Sequence, residues 1–260
     1  MTINLALFTA FALATVRATV FLALCPPFNS RAISGRVKAL LGAALGFACM
    51  SRVGPIEQSD VFLFELLIQA LIGFSMAVMV RIIIAALQMA GSLIDFEGGF
   101  AMAQAFDPLT MTNQATFGRV YELTAMAMLF ATNGYQLLIM GLARSFNAMP
   151  VGAVFDMANY ADRLVFRFGE LMVASIEIAG PLLLVLFLTD MGLGLLTKVA
   201  PAMNAFTLGF PLKIMMTAFT APLIMVVIPQ VVEKLMDKVM VSFQGAVSYT
   251  HLRAHETLRY

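Results

Sequence analysis

The sequence predicts an all-α integral membrane protein of about six hydrophobic helical segments, some of them broken or kinked. Three observations carry that prediction. Of the 260 residues, 61% are hydrophobic and 12% charged, against roughly 25% charged in soluble domains. Mean hydropathy is +0.90, and apolar runs recur near the length of roughly 20 residues that crosses a bilayer core. Pro, Gly and charged residues also sit inside those runs, and interrupted helices survive at membrane depth only where protein shelters the freed backbone groups. One membrane domain over residues 1–247 is the economical organisation.

Taken in order, the first segment is Leu5 to Leu24, interrupted by Arg17 and stopped by Pro26-Pro27. It has no basic n-region and continues at spanning length, so it is expected to be a retained span. Residues 39–50 carry Gly42-x-x-x-Gly46 in a run too short to cross alone, which predicts a close-packing helix extended by its flanks. Residues 61–90 exceed spanning length; at 100° per residue Glu65 and Gln69 share one face and Arg81 and Gln88 a nearly opposite one. Residues 120–142 form a fourth segment with a possible break at Asn133-Gly134. Residues 144–167, with Pro150, Gly152, Asp156 and Asp162, read as an interfacial loop holding at most a short helix. Residues 171–196 return to spanning length around Glu177, Pro181 and Asp190, and a kink is expected at the proline. Residues 198–213 read as a connection, before a last segment over 214–232 with Pro222 and Pro229. Residues 248–260, SYTHLRAHETLRY, change composition abruptly, hold both histidines and resemble vector or adaptor read-through; they are expected to be a non-native tail. Basic residues in the 25–38 and 198–213 connections favour the cytoplasmic side for both, in a scheme of six alternating crossings with the N-terminus outside.

A net charge of +1, with sixteen scattered Lys and Arg, leaves no basic field for nucleic acid. Cys25 and Cys49 lack CxxC spacing and read as small buried hydrophobes rather than metal ligands or a disulfide. No phosphate-binding GxxxxGK[ST] loop is present, and nothing specifies a cofactor.

Charges inside apolar segments are expensive, which makes Arg17, Glu65, Arg81, Glu177 and Asp190 candidate functional residues. They could pair with neighbouring subunits of a larger helical assembly, relay ions or protons, or snorkel from helix ends. In a self-contained transporter or channel, Glu65, Arg81, Glu177 and Asp190 would line the path. An intramembrane aspartyl protease could be drawn from Asp190 with Asp95 or Asp107. However, the acid of DMGLG lies on the wrong side of its glycines for the usual GxGD arrangement, and outside the suspected tail no His exists to activate Ser75 or Ser175.

Residues 91–118, GSLIDFEGGFAMAQAFDPLTMTNQATFG, are too apolar for a solvated loop and too broken for a membrane helix. Gly98, Gly99 and Asp107-Pro108 permit sharp turns. Phe96, Phe100, Met102, Phe106 and Met111 could mould a deformable seal, since thioethers are flexible. A re-entrant interfacial loop without a gating role fits the same residues.

One dense motif narrows these readings. KVAPAMNAFTLGFPLK, with Pro201, Met203, Asn204, Phe206, Gly209, Pro211 and Lys213, follows NGYQLLIMGLARSFNAMP and IEIAGPLLLVLFLTDMGLGLL. Over roughly residues 5–240 the chain resembles the FliR family of the flagellar export apparatus, called SctT in virulence-associated type III secretion. Tyr135 departs from the His that the family often has after Asn-Gly. The resemblance implies a non-enzymatic export-gate subunit of the bacterial inner membrane at the flagellar basal body. It implies FliP-like and FliQ-like partners, together with a FlhB-like subunit, around a pore for unfolded exported proteins, in contact with membrane lipids. It further implies a FliP-like part followed by a FliQ-like part, placed so that six simple crossings need not hold, and a plug loop at residues 91–118.

Overall fold

The computed structural model describes residues 5–53, 62–100, 115–152, 157–200 and 205–256, with only the backbone described for residues 5, 157–160, 205–206 and 235–256. Every regular element among them is helical. In chain order these are α1 (Leu5–Leu24), α2 (Gly35–Val53), α3 (Phe62–Glu97), α4 (Thr116–Ala131), α5 (Gly134–Ala148), α6 (Met157–Val199) and α7 (Ala205–Glu256). The six predicted segments become seven helices because the fourth is divided. Asn133 takes φ 57°, a left-handed conformation that ends one helix and starts the next, and α4 and α5 meet at 75°.

Two compact units result, one drawn from Met1–Arg81, Leu129–Leu164 and Lys234–Tyr260, the other from Ile82–Met128 and Val165–Glu233. In the first, α1 stops before the predicted proline pair and packs antiparallel on α2. Gly42 faces Thr19, Gly46 faces Thr15, and Phe11 meets Phe47 edge to face at 6.4 Å. A Cβ on either glycine would overlap the threonine backbone, so the small-xxx-small spacing sets how closely the two helices approach. Gly42→Leu is therefore expected to destabilise this pair by roughly 1–3 kcal/mol, read as a lower thermal midpoint of the detergent-solubilised chain. Gly35→Leu, where a Cβ meets nothing within 4 Å, is the control expected to leave the midpoint in place.

Three sequence expectations are corrected. The 144–167 loop contracts, because α5 runs to Ala148 and α6 already starts at Met157; residues 157–168 hold neither Gly nor Pro to prevent it. The connection predicted over 198–213 shortens to residues 200–204, and Pro211 lies inside α7. In place of six crossings, four helices among the described residues are long and apolar enough to cross a membrane, or five if the bent α4–α5 pair is one span. Helix α2, with Arg36, Lys38 and Arg52 in its 19 residues, is not among them. Pro181 lies inside α6, which is helical on both sides of it, and α7 continues as helix to Glu256 through most of the suspected tail.

Candidate functional site at the base of residues 91–118

The segment singled out as irregular starts as helix. α3 continues through Glu97, positions 91 and 95 fall along one face of its last two turns, and Gly98 follows directly beyond its end. Gly91 lies against the backbone of Phe117 and Gly118, where a Cβ would overlap main-chain atoms. The two ends of the 91–118 segment therefore touch. One turn on, Asp95 is 2% exposed and its Oδ2 accepts the backbone N–H groups of Phe117 at 2.8 Å and Gly118 at 3.3 Å. A helix start leaves unsatisfied N–H donors and a partial positive charge, so the α3 carboxylate caps α4 from outside. Its Oδ1 is buried without a hydrogen-bond partner.

Just beyond α3, Gly98 and Gly99 rest on α7. Phe210, Lys213 and Thr217 follow i, i+3, i+7 spacing on one face of that helix. Gly98 packs on the Thr217 side chain, 2.5 Å from where its Cβ would stand, and Gly99 takes φ 83° beneath the Phe210 ring. Gly98 is thus a packing glycine rather than the free hinge its neighbourhood in sequence suggests, while Gly99 uses the left-handed freedom that only glycine has without penalty. Lys213 Nζ lies 2.7 Å from Asp190 on α6 and 3.5 Å from Glu97 at the end of α3. On the returning side, Phe117 stacks edge to face with Phe100 at 5.2 Å and with Tyr121 at 6.4 Å, and the Tyr121 hydroxyl donates to the Ala221 carbonyl at 3.2 Å.

A separate polar cluster lies in the other unit. Arg17 is fully buried; its Nε donates to Gln69 Oε1 at 2.7 Å, Nη1 to Ser145 Oγ at 3.2 Å and Nη2 to the Met149 carbonyl at 2.9 Å. Its guanidinium carbon lies 4.2 Å from the centre of the Phe146 ring. These contacts involve no carboxylate. The compensating negative charge is the C-terminal end of α5, which Met149 caps, together with the aromatic face.

Of the other predicted residues, Phe96 is 75% exposed on α3 and Phe100 is half-buried against Phe117. Met102, Phe106 and Met111 lie outside the described residues, as do Pro201, Met203 and Asn204 and the side chain of Phe206. Gly209 is buried against Leu193, and Pro211 is exposed on α7. Glu65 accepts the Gly152 N–H at 3.4 Å. Arg81 and Glu177 are exposed and make no polar contact among the described residues. Glu65 and Arg81 stand about 24 Å apart along α3 at 1.5 Å per residue, and neither meets the other or a shared third group, so the described residues do not gather them into one path. Asp190 is committed to Lys213 and Asp95 to backbone donors, so the structure does not present them as a catalytic pair; Asp107 lies outside the described residues. Both cysteines are buried and free, as expected, and burial raises the pKa of the Cys25 thiol. Sequence reasoning missed Thr217 and Tyr121 as anchors, and gave Asp95 only a catalytic reading; the legible signal for Asp95 was its spacing of four from Gly91.

The family model of bacterial export proteins, family 1, matches residues 8–239. The chain belongs to this family. It is similar to the flagellar biosynthetic protein FliR of Bacillus subtilis (strain 168), 28% identical over 216 residues that cover 80% of this chain and 83% of that protein. The FliR of Aquifex aeolicus (strain VF5) is 30% identical over 202 residues, covering 76% and 78% respectively. The Yop proteins translocation protein T of Yersinia pestis is 28% identical over 163 residues, 61% of this chain and 62% of that protein. The chain is accordingly an export protein of the flagellar and type III class, with four or five helices among the described residues fit to cross a membrane.

Proposed function

We propose that this chain is a structural, non-catalytic subunit of the export gate of a bacterial flagellar export apparatus, seated in the inner membrane at the basal body. With FliP-like and FliQ-like subunits, beside a FlhB-like one, it forms the pore for unfolded exported proteins, and residues 91–118 are its plug. The observation that carries the plug reading is the contact of Gly91 with Gly118, which returns the chain to its point of departure and leaves an apolar stretch rich in Phe and Met between two anchored ends. Phe96, Phe100, Met102, Phe106 and Met111 supply the seal, which blocks ions by excluding water from a narrow lumen.

Two features support an assembly over a lone transporter. Arg81 and Glu177 are exposed in long apolar helices, where charges require protein partners; with Arg17, Glu65 and Asp190 they belong to the polar framework of the gate. Helices α6 and α7 also pack antiparallel, Asp190 to Lys213 and Leu193 to Gly209, as expected of a FliQ-like hairpin following a FliP-like part in one domain over residues 1–247.

Deleting residues 98–111 is expected to leave copurification with FliP-like and FliQ-like proteins intact and to raise the resting ion permeability of cells expressing the complex. An assembled deletion complex that leaks no more than the parent removes the plug reading. Failure of the intact chain to copurify with those partners, combined with solute flux by the chain alone in liposomes, removes the gate reading altogether.

A further inference from the structure

We propose that Lys213 is a latch that holds Asp190 tightly and Glu97 releasably, and so controls the end of α3 from the α6–α7 pair. Three helices meet at one ammonium group. The Asp190 contact at 2.7 Å is a short charge-assisted hydrogen bond, whereas Glu97 at 3.5 Å is an ion pair beyond good hydrogen-bond length. The inequality follows from position. Asp190 lies on α6, whose pairing with α7 is also held by Gly209 on Leu193, while Glu97 is the last residue of α3, where the helix ends at Gly98-Gly99.

The residue type suits the task. Lysine carries a compact charge on a flexible stem with three rotatable donors, so it can lean from one carboxylate to another without leaving either helix. An arginine fork would settle on one. Both carboxylates are partly exposed, at 34% for Glu97 and 41% for Asp190, with Lys213 at 20%; neither contact is so deeply buried that breaking it strands a charge away from water. The contacts of the two glycines beside it are neutral: the Thr217 methyl and hydroxyl against Gly98, and the Phe210 ring over Gly99. Lys213 is thus the charged element by which a shift of α7 would be felt at the end of α3.

The inference concerns described residues and stands on their geometry; only its effect on permeability rests on the plug reading. Hydrogen exchange of the full chain in its purified membrane complex tests it directly. In Glu97→Gln, exchange over residues 92–100 is expected to rise roughly twofold to fivefold, as for loss of a partly exposed ion pair, while the regions around 190 and 213 stay unchanged. In Asp190→Asn the pattern inverts: α6 and α7 exchange faster around 190 and 213, and residues 92–100 are protected as well as before or better, because Lys213 passes wholly to Glu97. If both variants speed the same peptides alike, or if Glu97→Gln leaves residues 92–100 unchanged, Lys213 is a static bridge and the proposal falls. Permeability separates it from the plug reading. If deleting residues 98–111 causes a leak and Glu97→Gln does not, control by the latch is lost and the plug stands. If neither leaks, the plug reading falls and exchange alone decides the latch.

Discussion

Arg17→Lys is expected to behave nearly like Arg17→Ala, although it preserves the charge. The guanidinium of Arg17 spends its nitrogens on three acceptors from different parts of the chain, Gln69 on α3, Ser145 on α5 and the carbonyl of Met149 just beyond it, and lays its plane near Phe146. A hydrogen bond involving a charged group contributes about 1.5–3 kcal/mol, more where its loss strands a buried partner, and a desolvated cation–π contact adds about 2 kcal/mol. An ammonium on a shorter stem cannot serve that spread of acceptors, and whichever one it abandons is left buried. Substitution to Ala strands no charge but leaves the Gln69, Ser145 and Met149 acceptors without their donor, at about 1–3 kcal/mol for each that stays buried and unpaired; substitution to Lys is expected to cost nearly as much, because an imperfectly paired charge remains inside. The check is the thermal midpoint of the solubilised chain together with its amount in the membrane. A lysine variant that melts with the parent would show that charge alone, not the planar fork, holds α1 to α3 and α5.

What could be read from sequence divides along a physical line. Features governed by neighbouring residues came through: the stop at Pro26-Pro27 after Leu24, the close approach encoded by Gly42 and Gly46, and the break at Asn133-Gly134. Features decided by packing did not. Gly98-Gly99, Asp107-Pro108 and the carboxylates argued for irregular backbone from Gly91 onward, yet α3 persists to Glu97, with Gly91 pressed on Gly118 and Asp95 capping α4. Likewise α7 includes Pro211, where local rules predicted a connection.

The same division applies to the site. Arg17 and Asp190 were each conspicuous as single residues, since charge in an apolar run is visible without a partner, and Lys213 stood out only as the end of a dense motif. Their pairings did not stand out. Arg17 reaches Gln69 and Ser145 across 52 and 128 residues of chain, and no periodicity reports on contacts of that range. Thr217 and Tyr121 were harder still, because a hydroxyl in a helix gives no hint of the backbone it will meet. Residues 91–118 looked anomalous for the right reason, an excess of Gly and acid in apolar surroundings, but the described part of that anomaly is an anchor built of helix ends.

Gly91→Leu should be the most damaging change at that anchor, and it tests whether the base of the segment is a rigid frame. The new side chain would start inside the backbone of Phe117 and Gly118, so α4 must move away from α3 by more than a side-chain rotation can absorb. Overpacking of this kind destabilises by roughly 1–3 kcal/mol, and the movement also separates Asp95 from the N–H groups it caps, a loss of about 0.5–2 kcal/mol. The returning end of the segment would then lose its fixed position, together with the Phe117 contacts to Phe100 and Tyr121. Thermal unfolding should show the destabilisation, and copurification with FliP-like and FliQ-like partners should fall in step. Gly169→Ala is the matched control: a Cβ there meets nothing within 4 Å, no proline directly follows it, and removing a mid-helix glycine stabilises by roughly 0.5–1 kcal/mol. If Gly91→Leu melts and assembles like the parent while Gly169→Ala behaves as stated, the α3–α4 crossing is not the fixed point of the segment, and the anchors must be sought on α7 alone, at Thr217, Lys213 and Phe210.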